Sequence, residues 1–263
     1  MIRYLLLILS LVVLLLMFSC HQPKPPDETV GETGNKKTKK QEETKTSQQD
    51  TITKKDTTTA ISEKGQKYKQ MGLQDVQEEL PELRVELKYS TTDNFLGFDV
   101  YGELTHAFLQ PECMAKLKKA YQLLQQKKPG HTFIVYDALR PADVQQVMWD
   151  SIDVPEHKKF WYVAPPGKGS IHNYGMAVDL TIADSTGKPL DMGTPFDYFG
   201  ELAFPRNTQK FLKEGKLTRQ QADNRNLLIS IMHAAGFSVA RTEWWHFNAT
   251  SLAGAKKRFE RVE

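Results

Sequence analysis

The chain has 263 residues, room for one or two domains, and a formal net charge of only +3, which excludes the dense basic footprint of a nucleic-acid binder. It holds two cysteines, Cys20 and Cys113. If Cys20 carries a lipid, as its context predicts, Cys113 has no partner and no disulfide framework supports the fold.

In chain order, residues 1–20 read as a secretory signal. Arg3 gives a short positive start, and Leu5 to Phe18 is an apolar run shorter than the roughly 20 residues of a spanning helix. The run ends at Met17-Phe18-Ser19-Cys20, which resembles a bacterial lipoprotein lipobox, although Phe18 is bulky for it. Lipid on Cys20 would anchor the chain in a membrane and leave the rest exported, facing the periplasm or the cell exterior. The alternative, an uncleaved signal anchor, gives the same sidedness. Residues 21–67 are rich in Lys, Thr, Glu and Gln and poor in large apolar side chains. Such a stretch cannot bury enough surface to offset its ordering entropy and is expected to be a disordered tether.

Residues 68–263 are expected to form one domain. Pro111 to Lys128 has a helical apolar stripe of Met114, Leu117, Tyr121 and Leu124, with Gly130 just beyond. Thr132 to Ala138 reads as a buried strand, and Pro141 at a first helical position opens a helix to Trp149. Residues 152–170 look like a variable loop. Ala177 to Ile182 is a second strand. Thr218 and Gln221 form a possible capping box for a helix to Ala235, stopped by Gly236, with Leu227, Leu228, Ile231, Met232 and Ala235 on its apolar face. Phe237 to Phe247 supplies further strand, which can close as a hairpin. Without a regular βαβ rhythm, the class is α+β, a small, mainly antiparallel sheet flanked by helices.

Three separated segments together suggest a zinc site. His172, Asp179 and His246 are two imidazoles and a carboxylate, the kind of three-ligand set that leaves a fourth position to water on a catalytic zinc. Glu243, three positions before His246, is a carboxylate left over to act as base. On a regular strand Glu243 and His246 would face opposite sides, so the strand is expected to end, twist or bulge there. Arg140, at the strand-to-helix turn, could stabilise an oxyanion. Equally, it could serve only as the partner of Asp137 or Asp143. His21, His106, His131, His157 and His233 lack ligand spacing and read as core or surface residues. Trp244 and Trp245 are expected to pack, and to wall the site.

The segments YDALRP (136–141), SIHNYGMAVDLTI (170–182), DMGTPFDYF (191–199) and EWWHF (243–247) resemble the zinc-dependent D-alanyl-D-alanine dipeptidases. That group is related to D,D-carboxypeptidases and the hedgehog signalling domain. The resemblance begins near KYSTTDNFLG (88–97) and runs through the folded part. It implies one zinc ion per chain on His172, Asp179 and His246, Glu243 as catalytic acid/base and Arg140 as transition-state stabiliser. It further implies that Tyr89 and Asp197 hold the substrate's free ammonium, with Ser170 near the substrate. The substrate so implied is a small D,D-dipeptide. Two alternatives remain: a D,D-carboxypeptidase or endopeptidase acting on peptidoglycan stem peptides, and a non-catalytic, zinc-stabilised cell-wall-binding module.

Overall fold

A computed structural model of the chain describes residues 61–263. The signal segment, Cys20 and the tether up to residue 60 lie outside the described residues. Polar residues 63–67, read from composition as tether, are instead the first turns of helix α1, Glu63–Gln70. Ser62 caps that helix by accepting the Gly65 N–H, and Tyr68 anchors it edge-on against Phe108. A single buried aromatic holds this helix, which is why its average composition misleads.

Among the described residues the strands are β1 (Gln74–Asp75), β2 (Arg84–Val85), β3 (Phe108–Leu109), β4 (Thr132–Asp137), β5 (Ala177–Ala183), β6 (Ser238–Val239) and β7 (His246–Asn248). β1 and β3 form a small antiparallel ladder. The other five make one sheet in the order β2-β4-β5-β7-β6, antiparallel except for the β2–β4 pair. The fold is α+β with a mainly antiparallel sheet, as expected.

Helices cover the sheet. Helix α2, Pro111–Lys127, starts on its proline and buries Cys113, Met114, Leu117, Ala120 and Leu124, while Tyr121 is half-buried at the edge of the stripe. Helix α3 spans Ala142–Ser151. Pro141 is its N-cap rather than its first residue, because its ψ of 151° is still extended. Helix α4, Arg219–Ala234, has the Thr218/Gln221 capping box in place, and Gly236 follows at φ +97°. Its inner face is partly polar, since Asn224 and Arg225 are buried beside Leu228, Ile231 and Met232. Helix α5, Leu252–Arg258, ends the described helices.

All seven residues of β5 are buried, so both faces of this central strand are covered. Alternation sends Val178, Leu180 and Ile182 into the main core and turns Asp179 and Thr181 to the opposite face. That second face carries the polar residues that converge below.

Candidate active site

The sheet's register brings the chemistry together. Asp137 on β4 pairs with Asp179 on β5, and Asp179 pairs with His246 at the start of β7. The three side chains thus form a row across adjacent strands, with a register irregularity between Val135 and Asp137. β7 begins only at His246, so Glu243 lies before the regular strand. Free of the alternation, its Oε2 comes 3.9 Å from His246 Nδ1. The expected break in the strand is present.

His172 arrives from a short 3-10 turn, Ile171–Tyr174, immediately before β5. Ser170 caps the turn by accepting the His172 N–H, and Asn173 accepts the Ser170 N–H in return. Gly175 closes the turn at φ +63°, a left-handed conformation that glycine adopts without strain. The Asn173 amide also donates to the Arg140 carbonyl and to Gln145, at 2.8 and 2.9 Å. The Arg140 N–H donates to the His172 carbonyl, tying the two segments together.

Three ligand atoms meet. His172 Nε2 and His246 Nδ1 are 3.0 Å apart, and Asp179 Oδ1 lies 2.9 Å from His246 Nδ1 and 3.4 Å from His172 Nε2. Each imidazole directs its other nitrogen outward: His172 Nδ1–H donates to the Ala138 carbonyl at 2.6 Å, and His246 Nε2–H to Asn248 Oδ1 at 2.8 Å. In the neutral rings both lone pairs therefore point at one another and at the carboxylate, and Asp179 Oδ1 is buried without an aligned hydrogen bond. Such crowding of acceptors is unfavourable unless a cation sits among them. A tetrahedral ion with bonds near 2.0–2.1 Å spaces its ligands roughly 3.4 Å apart, close to what is found. The residues fit a zinc ion.

The electrostatics agree. Burial would raise the Asp179 carboxyl, but the adjacent His172 and His246 hold it well below the usual range. Burial lowers His246, yet Asp179 outweighs it and raises the imidazole to about 9. Without metal, a proton on Nδ1 shared with Asp179 stands where the cation belongs. Burial raises the Glu243 carboxyl above its ordinary value, opposed mainly by His246. A carboxylate poised in this way suits a general base.

Of the two readings of Arg140, the structure contains the pairing with Asp137. Its Nε and Nη2 donate to Asp137 Oδ2 at 3.1 and 2.6 Å, and its guanidinium lies 5.1 Å from the centroid of the Tyr89 ring. Asp137 also accepts from the Tyr101 hydroxyl and the Ala138 N–H. The pair fixes the guanidinium through Nε and Nη2. Asp143, the other partner considered, binds Lys64 on the surface.

Asp197 stands close to this centre. It accepts from the Tyr89 hydroxyl at 3.0 Å, while its Oδ2 is buried with no partner. It is the only non-glycine described residue at positive φ, +60°. Burial, followed by the charges of Asp179 and Glu243, pushes its carboxyl well above the ordinary range despite the bond from Tyr89. Such a group has an acceptor to spare for a cationic donor. Phe196 beside it packs on Tyr89, Tyr136 and Trp245. Trp244 and Trp245 are buried edge to face, with Trp244 Nε1–H donating to Thr194. A cavity of about 440 Å³ is walled by Tyr136, Thr181, Phe196 and Trp244, and none of His172, Asp179, His246 and Glu243 lines it.

Ser170 has a visible structural task, the cap on the His172 turn. Residues whose importance the sequence reading did not see are Tyr101, Asn173 and Asn248. Only Asn248 had a usable signal, since it lies two positions from His246 and so shares its face of β7. Of the histidines set aside, His106 pairs with buried Asp75 at 2.6 Å.

A buried two-histidine, one-carboxylate cluster with an adjacent free carboxylate and a fixed guanidinium defines a metal-dependent hydrolase site. Comparison with known proteins narrows the class. The chain belongs to the D-Ala-D-Ala dipeptidase family, Peptidase_M15, whose match spans residues 69–262, and it is a zinc metallopeptidase. It is 32% identical over 173 residues to a D-alanyl-D-alanine dipeptidase of Escherichia coli (strain K12), covering 66% of this chain and 82% of that protein. It is 29% identical over 183 residues to one of Enterococcus faecium, covering 63% and 85%. A solved structure of the D,D-pentapeptidase VanY in complex with Zn(II) aligns at 17% identity and a TM-score of 0.30, covering 57% of this chain and 78% of that one.

Proposed function

We propose that this zinc peptidase hydrolyses the free dipeptide D-Ala-D-Ala, with one zinc ion held by His172, Asp179 and His246. Zinc bound there would polarise the scissile carbonyl and acidify the attacking water. Glu243 takes the proton from that water and returns it to the leaving amine. Arg140, braced by Asp137, donates to the oxygen on which negative charge develops. Asp197 and Tyr89 receive the substrate's ammonium, and Ser170 stands near the substrate's other end. The observation that carries the dipeptide reading is the buried, unpartnered Oδ2 of Asp197, a carboxyl oxygen that a terminal –NH3+ would engage and whose ionised form that cation would favour. A stem peptide, whose D-Ala-D-Ala amine is an amide, has no cation to place there.

The lipobox-like sequence at Cys20 supports an exported, lipid-anchored enzyme on a tether. Incubating the zinc-loaded protein with D-Ala-D-Ala and with a stem pentapeptide tests the substrate. Faster release of D-Ala from the dipeptide is expected. Preferential cleavage of the pentapeptide would replace this reading with a D,D-carboxypeptidase, and no hydrolysis of either would leave a binding module.

A further inference from the structure

Arg225 lies on α4, outside the residues assigned so far, and is completely buried. It has no direct carboxylate partner among the described residues. Its Nε donates to the Met192 carbonyl at 2.5 Å and its Nη1 to the Leu202 carbonyl at 2.7 Å. Burial lowers its pKa to about 10, so it stays charged at neutral pH. A buried guanidinium spent on two main-chain carbonyls is a costly device where apolar packing would suffice for stability alone. The two carbonyls are equally far along the chain from Asp197, one on each side.

We propose that Arg225 is a positioning residue for the substrate-ammonium site, clamping both ends of the loop that presents Asp197. This rests on the reading of Asp197 given above. Three further features belong to the same clamp. Asn224 donates to the Asp191 carbonyl at 2.8 Å, and Gln221 donates to the Asp191 carboxylate at 2.8 Å. Gly193, at φ +82°, a conformation that disfavours any side chain, lets the loop come so close that a Cβ would lie 2.3 Å from Leu217 Cδ2. Between the anchors, Asp197 sits at φ +60°, in the left-handed region that few non-glycine residues other than Asn and Asp adopt. Nη2 of Arg225 has no partner, so its bonding is given to the loop's two carbonyls alone.

The test is a double-mutant cycle on the full chain, with Arg225→Met, Asp197→Asn and the pair, read as KM and kcat on D-Ala-D-Ala and as zinc content. Arg225→Met is expected to raise KM about tenfold, change kcat less than about threefold and leave zinc content at the wild-type level. In the pair, Asp197→Asn should add little to the Arg225→Met effect, because the loop has already lost its geometry. Arg225→Lys, which keeps a cation able to reach one carbonyl, should recover part of the KM and serves where the methionine variant folds poorly. Additive effects of the two sites, or a parallel fall in kcat and zinc content with KM unchanged, would overturn the proposal. A wild-type protein inactive on the dipeptide would instead remove the functional reading on which it rests.

Discussion

The two ends of the site are built differently. The metal end stands on strand register: Asp179 and His246 are direct cross-strand partners in the buried sheet, and His172 is one capped turn away. The proposed ammonium end stands on a loop, where Asp197 sits at φ +60° and Arg225 of α4 donates to the carbonyls of Met192 and Leu202. Register is a property of the whole sheet and resists local change, whereas a clamped loop can be altered a few bonds at a time. Reaction type should therefore be robust, and substrate choice tunable.

That contrast is sharpest for the ligands. Asp179→Ala removes the carboxylate that neutralises the cation, and is expected to abolish zinc retention and hydrolysis together. Metal analysis after gel filtration checks it, and wild-type zinc content would break the assignment. Glu243→Gln should separate the two, retaining zinc while lowering kcat by about a thousandfold, within the range of a lost general base. Unchanged turnover would take Glu243 out of the chemistry.

A smaller loss is expected at Arg140. Arg140→Lys keeps the charge but not the fork that Asp137 holds, and should lower kcat by about a hundredfold with KM little changed. A KM effect alone would place Arg140 in ground-state binding.

The mildest prediction concerns pH. His246 in the metal-free protein has its pKa raised to about 9, so below that value zinc must displace a proton. Zinc affinity should accordingly rise with pH, up to about tenfold per unit, and level off above about 9. The same shift predicts that metal-free protein loses stability as pH rises from the unfolded histidine value through about 9, since the proton favours the folded state. Competition titrations and thermal melts across this range read both. A flat zinc affinity would mean that His246 does not surrender a proton to the ion.

The same difference explains how much could be read in the sequence. His172, Asp179 and His246 were legible as a candidate ligand set because metal chemistry demands particular residue types, and β5 carries clear strand composition. Glu243 was legible together with its difficulty: the requirement to share a site with His246 predicted a strand that starts late, as β7 does. Arg140 was left between two roles because its position on the chain fixes neither; Asp137 turns out to brace its guanidinium. Tyr89 and Asp197 came only from family resemblance, because a loop residue 108 positions away has no periodicity to betray it. Asn224 and Arg225 carry no signal in the sequence, and only the tertiary fold brings them onto the loop. The start of α1 was missed for the opposite reason, since one aromatic anchor is invisible to an average over polar residues.

The most direct test is to add zinc stepwise to chelated protein while following D-Ala release from D-Ala-D-Ala. Activity should climb linearly and break at about one ion per chain, and His172→Ala should give no rise at matched zinc. Hydrolysis that persists without zinc, or that His172→Ala leaves intact, would contradict a single metal centre at the meeting point of these three segments.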